Sequence, residues 1–388
     1  MFWFSRSKPE YEPVTGLVLP GGGARNAYQV GVLRAIADIL PPENNNPFPV
    51  ITGTSSGGIN AALLASTAGE FRTGVERLTE VWENFESKQV FYADPWTAFK
   101  SAAQWGMTAL SGGYATTGPK SVLNNQPLRE LLERNLNLAQ IQQAIDRGDL
   151  RALGISSSGY NTGMSTCYYQ GAESIEPWQR SRRCGVPKQI RFEHLMASIA
   201  IPLIFPSIMI NGEYHGDGTM RETAPLSPAL HLGANRLMII GIQDQQPQPE
   251  DGPQYPSVGH IAGYVLDTLF MDSLHADIER LNRINLTISK MQKEQVELEN
   301  ITLKPIEFSV ISPSVDLSDI VAKHVASAPA SIRALLRGMG ALNRAGRPLI
   351  SYLLFEGAFC RELIELGYQD GMREREAITQ LLIPSTET

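Results

Sequence analysis

Near its start the chain twice runs through an apolar, strand-like stretch that stops at a glycine-rich turn and continues as a helix. The first stretch is VTGLVLP, residues 14–20. Gly21, Gly22 and Gly23 follow, and residues 27–40 then carry Tyr28, Val32, Leu33, Ile36, Ile39 and Leu40 at helical spacing until Pro41 and Pro42 stop them. The second stretch is FPVITG, residues 48–53, followed by TSSGG and the small-residue helix INAALLASTAG. Two consecutive strand–turn–helix units predict an α/β fold built on a largely parallel sheet.

The later segments extend this pattern. Residues 71–85 and 127–148 read as helices, and 192–200 as a short one. Residues 150–170 read as two strands around an Asn-Thr-Gly turn, Asn211-Gly212 as a hairpin turn, and 236–242 as a buried strand. Residues 87–126 mix aromatics, glycines and small residues over a length too great for a plain connection, which predicts a helical insertion or a lid. The polar, proline-bearing stretch 243–257 reads as a linker. It divides the chain into a tail (1–13), a main domain (14–242) and a mainly helical C-terminal region (258–388). In that region Leu266, Leu269, Phe270, Leu274, Ile278, Leu281 and Ile284 lie near one stripe, and 302–312 has the character of a strand that returns to the sheet.

Composition narrows the class of protein. The 388 residues are 43% apolar, enough for a sizeable core. A net charge of -7 argues against nucleic-acid binding, which needs a basic footprint. The three cysteines, Cys167, Cys184 and Cys360, have no metal-ligand spacing and read as reduced thiols of an intracellular protein, so no metal is expected. The N-terminal apolar run is too short for a signal peptide, and no stretch reaches the roughly 18 apolar residues of a membrane span. A soluble, cytoplasmic protein with peripheral membrane contact is expected. From 323 to 355 there is no Asp or Glu, and Lys323, Arg333, Arg337, Arg344 and Arg347 are interleaved with Ile332, Leu336, Leu349 and other apolar residues. That segment has two readings: a basic amphipathic surface for an anionic bilayer, or helices packed on the main domain with their arginines solvated.

Three short motifs carry chemistry. Gly53-Thr54-Ser55-Ser56-Gly57 fits G-x-S-x-G, a sharp strand-to-helix turn that strains and exposes its central serine and needs flanking glycines. It singles out Ser55, rather than Ser56, as a candidate nucleophile, with Gly53 and Gly57 as the elbow glycines and a helix N-terminus favouring negative charge nearby. Gly21-Gly22-Gly23-Ala24-Arg25 offers backbone N–H groups unobstructed by side chains, as an oxyanion hole or phosphate cradle does. As a dinucleotide fingerprint it fails, because Asn26 stands at the last glycine position and the strand 48–53 ends without a ribose-binding acid. No Gly-Lys-Ser/Thr follows for a P-loop, so no cofactor is expected. Gly216-Asp217-Gly218 sets an aspartate between glycines, which alone reads as a surface turn.

In order, the three motifs resemble the patatin-like phospholipase family: GGGAR its glycine-rich loop, GTSSG its elbow and DGT its Asp-Gly pair. The run ASIAIPLIFPSIMINGEYHGDG is similar to the family's lead-in to that aspartate, and LHADIERLNRIN is more loosely similar to bacterial members. The chain departs from the pattern at Asn26, where a glycine is usual, and at Thr219, where a smaller residue is usual. The resemblance, over about 14–242, implies a three-layer α/β/α domain with a largely parallel central sheet and a mainly helical C-terminal extension. It implies hydrolysis of phospholipids or other lipid esters through an acyl-enzyme, with a Ser–Asp dyad of Ser55 as nucleophile and Asp217 as base. Gly21, Gly22, Gly23, Ala24 and Arg25 would form the oxyanion loop. A free Asp, at a pKa of about 3.9, is a poor base for a hydroxyl, and burial beside the serine would raise it. The alternatives are a triad using His231, His260, His275 or His324, an acyltransferase using the same serine, and a catalytically silent lipid-binding regulator.

Overall fold

Thr15–Leu19 (β1) and Val50–Thr54 (β2) are buried along their whole length and lie parallel, with Gly16 opposite Val50 and Leu19 opposite Gly53. Strands covered on both faces are near-continuously apolar, which is why these two stand out in the sequence. The computed structural model describes residues 13–92, 121, 123–242, 255–294 and 304–383. The further strands are β3 (Ala152–Gly159), β4 (Ser165–Gly171), β5 (Trp178–Arg180), β6 (Arg183–Pro187), β7 (Ile208–Ile210), β8 (Glu213–Asp217), β9 (Arg236–Ile240) and β10 (Glu307–Ile311). Among the described residues they form one ten-stranded sheet, ordered β10-β9-β1-β2-β3-β4-β6-β5, with β8 on β3 and β7 on β8. The run from β10 to β3 is parallel, and antiparallel pairing begins at β3–β4. This is the α/β architecture expected: a mixed, mostly parallel sheet flanked by helices, with a mainly helical C-terminal portion.

β1 feeds the helix Ala27–Ile39 (α1) through the glycine loop, and β2 feeds the helix Ser56–Ser66 (α2) through the elbow. Both turns therefore lie at the carboxyl ends of neighbouring parallel strands, the position where open α/β sheets form their sites. The strand expected within 302–312 does return to the sheet, as β10 beside β9. The C-terminal helix Gly357–Arg373 lies directly on α1. A Cβ on Gly31 would overlap the Ile364 carbonyl oxygen, and one on Gly367 would overlap the carbonyl oxygen of Tyr28. At the same crossing the Tyr28 hydroxyl donates to Asp370 Oδ2 at 3.1 Å.

Two helices differ from the sequence reading. The helix expected over 127–148 is two, Gln126–Asn135 and Ala139–Arg147. Asn137 Oδ1 accepts the Ala139 N–H at 3.2 Å, the kind of local side-chain bond that competes with a continuing helix. The helix expected over 258–300 is interrupted by a π-helical turn, Thr268–Asp272, between Val258–Asp267 and Ser273–Lys293. Of the proposed lid, the helical turn Ser87–Val90 and a bridge between Tyr92 and Asn124 are described, while 93–120 and 122 lie outside the described residues. So do the tail up to residue 12 and most of the linker, 243–254. In the basic segment Ile332, Leu336 and Leu349 are buried, which commits them to packing rather than to a lipid surface. No helix among the described residues is long and apolar enough to cross a membrane.

The α1 crossing yields a stability prediction. Gly31→Val or Gly367→Val forces the two helices apart and should lower stability by about 1–3 kcal/mol, read by urea unfolding. Unchanged midpoints in both variants would contradict a backbone approach this close.

Candidate active site

β3 is longer than β2, and their pairing ends at Thr54 opposite Ser156. Beyond that point the same edge of β3 is taken by β8, running antiparallel with Asp217 opposite Ser157. The ends of β2 and β8 therefore meet, and the residues at the junction are Ser55 and Asp217. The Ser55 hydroxyl donates to Asp217 Oδ2 at 2.7 Å.

Ser55 has φ 53° and ψ −133°, a backbone conformation costly to a residue with a side chain, by about 1–3 kcal/mol. Its surroundings hold it there. A Cβ on Gly57 would overlap the Leu19 and Pro20 carbonyl oxygens, and one on Gly53 would sit 2.5 Å from the Gly57 carbonyl oxygen, so both elbow glycines are required by close backbone approach. The Ser55 N–H donates to Ser198 Oγ at 2.8 Å, and the Ser198 hydroxyl donates to the Ser156 carbonyl at 2.6 Å. α2 begins at the next residue, so its positive end faces the hydroxyl.

Asp217 is almost wholly buried, and burial pushes its carboxyl up to about 6. The Thr219 N–H and hydroxyl, which donate to Oδ1 at 3.0 and 2.7 Å, and the Ser55 hydroxyl pull the other way. Thr219, the departure from the family pattern, thus orients the carboxylate: its two donors engage Oδ1 and leave Oδ2 toward Ser55. The aspartate itself is anchored through its N–H to the Ala200 carbonyl at 2.9 Å.

The glycine loop lies against this pair. A Cβ on Gly21 would stand 2.8 Å from Ser55 Cβ and 2.9 Å from Thr219 Cγ2, and Gly23 has φ +56° with the Tyr352 carbonyl where a side chain would go. Gly22 is packed against Ile242 and the Asn26 side chain. Asn26, the other departure, ties the loop down by donating from Nδ2 to the Pro20 carbonyl at 3.0 Å.

Arg25 is placed differently from the oxyanion role given to it. Its N–H donates to the Gly22 carbonyl at 3.1 Å, closing a turn. Its guanidinium donates to Asp267 Oδ1 (2.9 Å), the Tyr352 hydroxyl (3.0 Å) and Ser351 Oγ (2.6 Å), and lies over the Tyr352 ring. Arg25 thus clamps the loop to the C-terminal region.

Sequence reasoning missed a second set of residues. Besides Ser198, a buried chain runs from Trp82 Nε1 to Asn60 Oδ1 (2.9 Å), from Asn60 Nδ2 to Gln29 Oε1 (3.1 Å), and from Gln29 Nε2 to the Pro20 carbonyl (3.0 Å). Gln29 and Asn60 are the polar residues on otherwise apolar helix faces, a signal available in the sequence. Glu222 gave no such signal. It is buried beneath the elbow with Oε2 accepting from the Thr54 hydroxyl at 2.6 Å, and burial, with Asp217 nearby, pushes its carboxyl up to about 7 against the pull of Thr54 and Ser156.

His215, His231 and His324 have other partners. His215 lies between Ser157 Oγ and the Tyr168 hydroxyl, His231 stacks on Trp178, and His324 pairs with Glu362. No group of three or more His, Cys, Asp or Glu able to hold a metal ion occurs among the described residues. Ser55 and Ser56 line an apolar cavity with Leu63, Trp82, Phe85, Leu132, Phe205 and Phe355.

The buried carboxyls make a prediction about stability. Between the ordinary Asp value of about 3.9 and about 6, the folded chain keeps a proton on Asp217 that the unfolded chain releases. Its contribution is therefore full at low pH and is lost as pH rises across that window, and Glu222 adds the same sign up to about 7. Asp217→Asn should be at least as stable as the parent above pH 7 by thermal unfolding. A clear fall in its melting temperature there would mean that the ionised carboxylate is a net stabiliser.

No curated protein matches the chain. Among solved structures, the crystal structure of VipD from Legionella pneumophila superposes with a TM-score of 0.37 at 12% identity, over 94% of this chain and 67% of that one, a likeness too distant to carry an argument. The family model described as patatin-like phospholipase matches residues 17–230, more than half the chain and a span that includes all three motifs, and the protein accordingly belongs to the patatin-like phospholipase family.

Proposed function

We propose that the protein is a serine acyl-ester hydrolase that releases fatty acids from phospholipids or related lipid esters, with Ser55 as nucleophile and Asp217 as its base. Family membership supports lipid acyl hydrolysis in general. The observation that carries the finer reading is the 2.7 Å hydrogen bond from the strained Ser55, which lines an apolar cavity, to a buried carboxylate.

In this mechanism the Ser55 proton passes to Asp217 Oδ2 as Oγ attacks the ester carbonyl carbon. With its carboxyl pushed up to about 6, Asp217 is ionised at neutral pH yet more basic than a free Asp. Thr219 keeps the carboxylate aligned throughout. The carbonyl oxygen gains negative charge, and the N–H groups around Gly21, Gly22 and Gly23, with the N-terminus of α2, stabilise it. As the C–O bond breaks, the leaving alcohol takes the proton from Asp217, leaving an acyl ester on Ser55. Water then attacks that ester with Asp217 again accepting the proton, and fatty acid and free serine result. The apolar cavity suits the acyl chain, whose methylenes each gain about 0.8 kcal/mol on leaving water.

Three variants separate the roles. Ser55→Ala and Asp217→Asn should each lower kcat by about 10⁴-fold, because members of one catalytic unit fail together. Ser56→Ala should stay active, since its hydroxyl is buried without a partner. Gly23→Val should lose about 10²–10³ in kcat with a smaller change in KM. In the parent, kcat/KM should fall with one proton as pH drops through about 6. An active Ser55→Ala enzyme, or a histidine variant as inactive as Asp217→Asn, would overturn this assignment.

A further inference from the structure

The helix Val258–Asp267 is built inside out. Gly259, Gly263 and Leu266 face inward. A Cβ on Gly259 would stand 2.5 Å from Ala341 Cβ, and one on Gly263 3.0 Å from the Leu349 nitrogen, so the small residues serve to bring this helix close to its neighbours. The large apolar residues face out: Val258 is 65% exposed, Ile261 48%, Tyr264 68% and Val265 48%, with Tyr255 just before the helix 98% exposed. Positions 258, 261 and 265 share one helical face, with 264 beside it. Exposed apolar side chains scattered singly need no explanation, but a contiguous face of this kind marks an interaction surface.

The charges around this face indicate what it meets. Between 258 and 266 there is no Asp, Glu, Lys or Arg. The loop beneath, 339–346, is held to the helix start by the Gly259 N–H donating to the Met339 carbonyl (2.8 Å) and by the Ser257 hydroxyl donating to the Gly340 carbonyl (3.1 Å). Arg337 just before that loop and Arg344 within it are exposed, and no acidic residue occurs from 323 to 355. An uncharged apolar helix face beside a purely basic segment is the composition that lies on anionic lipid. The chain as a whole carries -7, so approach to such a surface needs a local basic rim of this kind.

The helix also leads to the chemistry. Its last residue, Asp267, receives the Arg25 guanidinium (2.9 Å) and the Tyr352 hydroxyl (2.6 Å). In the π-helical turn that follows, Phe270 stacks on Tyr352 and reaches within 2.8 Å of the position a Cβ on Gly21 would take.

We propose that the outer face of the helix Val258–Asp267, with Tyr255 and the rim of Arg337 and Arg344, is the surface that seats the protein on an anionic lipid bilayer. The proposal rests on the lipid-ester reading, and two separate assays keep the two apart. Co-sedimentation with vesicles of phosphatidylcholine, with and without phosphatidylserine, reads docking, and hydrolysis of a short soluble ester reads the Ser55 chemistry. The parent should bind the anionic vesicles more tightly, and less so as salt rises. The triple variant Ile261→Gln, Tyr264→Gln, Val265→Gln should lose roughly tenfold or more of that binding while hydrolysing the soluble ester as the parent does. Arg337→Gln with Arg344→Gln should remove mainly the salt-sensitive part. Failure of the parent to bind either vesicle overturns the proposal, even if the soluble ester is hydrolysed. So does a triple variant that binds like the parent, as would be seen if the exposed Met209 and Tyr214 of the β7–β8 hairpin carried the contact. A triple variant that changes only the molar mass in solution would assign the face to a protein partner and equally overturn the proposal.

Discussion

One edge of β3 serves two partners in succession, and the site depends on it. β2 occupies that edge up to Thr54 and then turns away through the elbow, and β8 arrives from the opposite direction with Asp217 in the next place along. Because strand side chains alternate, a slip of β8 by one residue would turn Asp217 to the other face of the sheet. The bond from the Asp217 N–H to the Ala200 carbonyl holds β8 in place. Proximity of the two side chains is thus a consequence of backbone pairing.

The same arrangement is costly. A serine in an unfavourable backbone conformation, and two carboxyls buried within one small region, all oppose folding. What offsets them lies around the site: fully buried parallel strands beneath, the Gln29–Asn60–Trp82 chain behind the elbow, and the C-terminal region above. Arg25 carries the link to that region. Its guanidinium is buried among Asp267, Ser351 and Tyr352, so the loop beside Ser55 and the helices after residue 258 share one polar cluster. Arg25 is the buried member of its pair with the 25% exposed Asp267, so removing Asp267 leaves a buried charge without its counter-ion.

The sequence carried the parts of this arrangement that short-range sterics dictate. Apolar runs ending in glycine announced β1, β2 and the turns that follow them, and GTSSG named Ser55. Asn211-Gly212 announced the hairpin that delivers Asp217, although Asp217 took its meaning from the order of three motifs rather than from its own surroundings. What was not legible depends on contacts distant in the chain. Arg25 reads as part of the oxyanion loop until its partners, Asp267, Ser351 and Tyr352, are known. Thr219 reads as a departure from a pattern, whereas its hydroxyl and N–H hold the carboxylate. Glu222 and Ser198 have no local signature, because their partners Thr54 and Ser156 lie on strands far from them in the chain. The basic segment 323–355 had two readings from composition alone; Ile332, Leu336 and Leu349 are buried, whereas Leu342 is 36% exposed.

In the proposed mechanism Ser55 forms a covalent acyl intermediate with Asp217 as the base. Rapid acid quenching of the enzyme during turnover of a long-chain nitrophenyl ester, followed by peptide mass spectrometry, tests it most directly. The expected result is an acyl mass increment on the peptide bearing Ser55, formed faster than steady-state turnover and missing in the Asp217→Asn protein. An increment on a different residue, or turnover with Ser55 unmodified at every quench time, would contradict it.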